Sequence, residues 1–149
     1  MKIEEEIKQT KFRNVHHKLA INVLYTAAWL EEQNKNFFKE FGITNQQFNI
    51  LRILRGQHPS KISGAEIKSR MIDKNSDVSR LLDRLIAKEL VIKSQCPNDK
   101  RAADVVITEE GLKILKKIDS KMDQTDLSVL KLTNEEATHL SDLLDKSRG

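Results

Sequence analysis

Near the middle of this 149-residue chain, Asn75, Ser76, Ser79 and Arg80 are followed one helical turn later by Arg84. Serine and asparagine hydrogen-bond to base edges or phosphates, and an arginine can pair through two parallel bonds with guanine. Such chemistry needs a rigid support. Val78, Leu81, Leu82, Leu85, Ile86 and Leu90 lie at offsets of 3, 4, 7, 8 and 12 from the first, which predicts an amphipathic helix with its polar residues on the opposite face. A helix of that diameter fits the DNA major groove, where each base pair shows its own pattern of donors and acceptors. On an isolated helix such a face is more often plain solvation, so the surroundings, two capped helices before it and a basic hairpin after it, decide. Asp77 stands at the helix start, where it complements the dipole but would repel phosphate, and is expected to act as a cap.

Charge placement favours an anionic partner. Residues 61–101 hold ten basic and six acidic side chains, whereas the other 108 residues hold 16 of each, so the whole formal charge of +4 sits in this segment. That concentration is the footprint of a phosphate-binding surface.

The flanking elements are legible from their caps. A helical apolar stripe (Phe12, Val15, Leu19, Val23, Ala27, Leu30) predicts one long helix from about Thr10 to Phe38, ended by Gly42. Thr44 with Gln47 forms a capping box, and Ile43 staples onto Phe48, opening a second helix that runs to about Arg55. Gly56 and Pro59 break it. Ser63 and Glu66 repeat the signature, with Ile62 packing on Ile67, for a short third helix to about Met71. After the fourth helix the period shortens. Val91–Gln95 and Ala103–Ile107 predict two strands of a hairpin, with the charged turn Cys96–Arg101 between them and Lys100 and Arg101 making its tip basic. Thr108 then caps a helix with Leu112, Leu115, Ile118 and Met122 on one stripe, and Thr133 opens a last one with Leu140, Leu143 and Leu144. The fold class is therefore mainly α with a small β-hairpin, in the order α-α-α-α-β-β-α-α.

Other classes find little support. Mean hydropathy is -0.53 and no apolar run approaches the ~20 residues of a membrane span. No secretory or transit signal is expected in Met1–Thr10, which points to the cytoplasm. The single cysteine, Cys96, excludes an internal disulfide, and its place beside the hairpin tip leaves a redox role open. The four histidines have no metal-ligand spacing, and neither a phosphate loop nor a nucleophile and base pair is present, so no catalysis, metal or cofactor is expected. His16 and His17 are expected to divide between an interface and water, with an effector pocket as the alternative, and Trp29 is expected in the core.

The run Val78-Ser79-Arg80-Leu81-Leu82-Asp83-Arg84-Leu85, then Pro97-Asn98-Asp99-Lys100-Arg101, then Val106-Ile107-Thr108-Glu109-Glu110-Gly111, resembles the recognition helix, wing and wing-to-helix junction of the MarR family of regulators. The resemblance covers nearly the whole chain, and its most specific part is the Asp-x-Arg wing at its distance from Thr-x-x-Gly. It implies a winged helix-turn-helix over 44–107, with 1–41 and 109–149 as dimerisation helices of a single domain. It further implies a homodimer on a pseudopalindromic double-stranded DNA site, a repressor more often than an activator, and release by a small phenolic or other amphipathic effector.

The resemblance also places Arg101 in the minor groove. A guanidinium at a hairpin tip suits the strongly negative A·T-rich minor groove, and Asp99 two residues away can hold it in position. Where the family commonly has glycine after the recognition helix this chain has Glu89, so that helix is expected to end without a left-handed glycine cap. The rival function is a winged helix that binds protein, for which an exposed apolar patch would be expected in place of Ser79, Arg80, Arg84, Lys100 and Arg101.

Overall fold

A computed structural model describes residues 1–96 and 99–149, and the side chains of all these except 95, 96, 99–103 and 125–128. The elements run α1 (Ile3–Glu6), α2 (Val15–Lys39), α3 (Asn45–Gln57), β1 (Ile62–Ser63), α4 (Gly64–Arg70), α5 (Val78–Ala87), β2 (Val91–Cys96), β3 (Asp99–Ile107), α6 (Glu109–Leu130) and α7 (Asn134–Arg148). The fold class is as expected. Two small elements, α1 and β1, are additional. The strands form an antiparallel sheet in the order β1-β3-β2, with Ile62 opposite Val105 and Val91 opposite Ile107.

Most helices start where the sequence places a cap. Thr44 accepts from the Gln47 amide while the Gln47 side chain accepts from the Thr44 amide, both at 3.1 Å, and Thr133 and Glu136 repeat the box at α7. Ser63 caps α4 as expected, but Glu66 does not reach back. Its carboxylate instead takes two bonds from the Arg70 guanidinium one turn on, the stronger charge-assisted alternative. The long helix begins at Val15 and not near Thr10, because Asn14 accepts from the His17 amide and fixes the first turn there.

The core sits within the winged helix. Ile50, Leu51 and Leu54 of α3, Ile67 of α4, Leu85 of α5, Val91 and Val105 of the sheet and Leu115 and Ile118 of α6 are fully or almost fully buried. The terminal helices behave differently. Among the described residues, only Phe38 of α2 is buried and α7 buries none, so Val15, Leu19, Leu24, Leu140 and Leu143 stay about half to three-quarters exposed. Trp29 is also exposed, beside Tyr25 and α1, which corrects its expected place in the core. The segment α1 folds onto α2 through Glu4 with Lys18 and through Tyr25, whose hydroxyl donates to Glu6 at 2.6 Å. Among the described residues no helix is long and apolar enough to cross a membrane.

Candidate nucleic-acid interface

Helix α5 is held down by Val78, Leu82 and Leu85, all buried, with Leu81 and Ile86 half-buried at the margins. At 3.6 residues per turn the exposed arc then runs from Ser79 through Asp83, Ala87 and Arg80 to Arg84 and Lys88. Arg80 lies near its centre. Among the described residues neither Arg80 nor Arg84 has a side-chain partner, so both guanidinium groups remain available to a ligand. Asp77 accepts from the Arg80 amide at 3.2 Å, turned onto the helix start as a cap. This satisfies an orphan donor at the start of the helix.

The residues before α5 divide. Asn75 is exposed in a turn made by Asp73, whose carboxylate accepts from the Asn75 amide at 2.9 Å. Ser76 is only 7% exposed and its hydroxyl is buried without a protein partner. Its expected place on the outward face is corrected: the chain turns inward at 76 so that Val78 can enter the core. Periodicity does not reveal this, because Ser76 precedes the helix. A cleft of about 730 Å³ separates the start of α4, the first turns of α5 and the sheet, with Lys68 and Lys93 among its lining residues.

The hairpin is longer than expected. Strand β2 reaches Cys96 and β3 starts at Asp99, with a register jump between Gln95 and Cys96. The backbone at Asp99, Lys100 and Arg101 therefore belongs to β3, while their side chains, like the turn at Pro97 and Asn98, lie outside the described residues.

The end of α5 differs from expectation in one respect. Glu89 adopts φ of 61° and occupies the left-handed cap itself. Its amide donates to the Ile86 carbonyl at 2.9 Å and that of Leu90 to Leu85 at 3.1 Å, the two bonds of a Schellman motif, with both leucines buried. The turn is therefore the left-handed one that glycine usually makes, built with a side chain that strains it. It is secured from the wing side by Thr108, whose amide donates to the Leu90 carbonyl and whose hydroxyl donates to the Glu89 carbonyl at 2.7 Å. Thr108 Oγ1 also accepts from the Gly111 amide at 3.1 Å. Gly111 is obligatory, since a Cβ there would stand 2.5 Å from the Leu90 carbonyl oxygen.

Two packed helices, a capped third helix that exposes Arg80 and Arg84, and an antiparallel hairpin behind it define a winged helix-turn-helix protein. The MarR family model matches residues 43–103. The regulator PecS of Dickeya dadantii is 26% identical over 111 residues, covering 73% of this chain and 67% of that protein. A MarR transcription factor from Planctomyces limnophilus superposes with a TM-score of 0.71 at 27% identity, covering 93% of this chain and 98% of that one. A mutant MarR from E. coli, crystallised with operator DNA, superposes at 0.76 with 25% identity, covering 93% and 99%. The chain is similar to MarR-family transcription regulators, in sequence over its winged helix and in fold over nearly its whole length.

Proposed function

We propose that this chain binds double-stranded DNA sequence-specifically as a homodimer, with one α5 in each of two major grooves of a pseudopalindromic promoter site. The observation that carries this reading is the exposed, unpaired Arg80 and Arg84 on a helix whose other face is buried in the core. The likeness to a MarR crystallised with operator DNA supports it. Asn75 and Ser79 add hydrogen-bonding groups beside the arginines. Arg101 and Lys100 serve the wing, with Arg101 in the minor groove and Asp99 orienting it. The exposed apolar residues of α2 and α7 form the twofold interface, because a large apolar surface of this kind marks an interaction site. The protein acts in the cytoplasm as a repressor, and a small phenolic or amphipathic effector releases it.

Titration of the chain's own upstream DNA at two salt concentrations tests the proposal. Specific binding that weakens steeply with salt, and exceeds binding to scrambled DNA by at least about a thousandfold, is expected. Equal affinity for both sequences would refute the sequence-specific reading.

A further inference from the structure

Lys88 belongs to the polar arc of α5, yet its position and bonding set it apart from the other cations there. On the helix it falls beside Leu81 and Leu85, at the edge of the arc, while Arg80 lies near the centre. Its ammonium group is occupied: it donates to the Gly42 carbonyl and, at 3.2 Å, to Gln47 Oε1. Both acceptors are fixed. Gly42, at φ of 70°, is the left-handed residue that ends α2, and the Ile43 amide closes that turn on the Phe38 carbonyl. Gln47 is 3% exposed and the same oxygen already caps α3 by accepting from the Thr44 amide. A lysine placed there meets a free carbonyl at the negative end of the α2 dipole.

The carboxyl end of α5 is thus held from two sides, by the α2–α3 corner through Lys88 and by the start of α6 through Thr108. Helices α2 and α6 continue into the terminal regions of the chain. We propose that Lys88 is a positioning residue for DNA recognition, which fixes the angle of α5 against α2 and makes no phosphate contact. The proposal rests on the reading of α5 as the DNA-binding helix.

The salt dependence of binding separates the two roles of a lysine. A phosphate contact contributes about one unit to the slope of log affinity against log salt, or about two per dimer, whereas a lysine spent on Gly42 and Gln47 contributes none. Lys88→Met is expected to weaken binding to the upstream DNA by about threefold to thirtyfold with an unchanged slope. Lys88→Arg, which keeps a donor of similar reach, should recover most of the loss. Arg80→Ala, measured alongside, should lower the slope. Because Lys88 is exposed, both Lys88 variants should fold, which far-ultraviolet dichroism at the assay temperature checks. A slope lowered by about two in Lys88→Met would make it a phosphate contact and overturn the proposal, as would unchanged affinity. Failure of the parent protein to bind DNA at all would instead refute the reading of α5.

Discussion

Gly111, the third residue of α6, shows how one atom can decide a junction. A methyl group at this position would meet both the Leu90 carbonyl and the Ile107 side chain, at 2.5 and 2.6 Å, and neither can withdraw without moving the wing. Gly111→Ala should therefore destabilise the fold by about 3 kcal/mol, measured by urea denaturation. Glu89 should respond in the opposite sense. Relief of its left-handed conformation outweighs the extra freedom that glycine gives the unfolded chain, so Glu89→Gly should raise stability by about 0.5 to 1 kcal/mol. On α5, Leu82→Ala should cost about 2 to 5 kcal/mol of folding free energy. Arg80→Ala should leave folding nearly unchanged and weaken specific DNA binding by about 1 to 3 kcal/mol. Equal loss of folding in these two variants would assign α5 to the wrong face. At this scale the sequence displays residue types and periodicity well, and Arg80 and Leu82 fall on the expected sides. Ser76 and Glu89 depart from expectation for one reason. Each lies at a helix boundary, where backbone torsions, invisible to a periodic pattern, decide direction.

Among elements, those with capping chemistry are legible. Thr44, Ser63, Thr108 and Thr133 each cap the helix that the sequence assigns to them, because a hydroxyl in an extended residue answers a local need of the next turn. Strand β1 is not legible. Two residues cannot display a period of two, and Ile62 and Ser63 become a strand only because β3 passes beside them. The long helix α2 starts later than its apolar spacing suggests, since that spacing continues upstream of the Asn14 cap. For the wing, a minor-groove role of Arg101 predicts that Arg101→Ala lowers the salt slope by about two per dimer and flattens the preference for A·T-rich flanks. Arg101→Lys should restore the slope more fully than the flank preference, because the charge survives and the planar fork does not. Binding unaltered at every salt concentration in Arg101→Ala would remove the wing from the interface.

For the molecule as a whole, the uneven distribution of burial carries the argument. Winged-helix residues from α3 to the start of α6 share one closed core, while α2 and α7 leave Val15, Leu19, Val23, Leu24, Leu140 and Leu143 uncovered. A second copy is expected to cover them, and sedimentation at micromolar concentration should give the mass of a dimer. Twofold symmetry would then place the two α5 helices about one DNA turn apart, roughly 34 Å. The most direct test is a hydroxyl-radical footprint on the bound upstream site. Two protected patches about one helical turn apart, related by a dyad, are expected; a single asymmetric half-site, or no sequence-specific protection, would contradict the central claim.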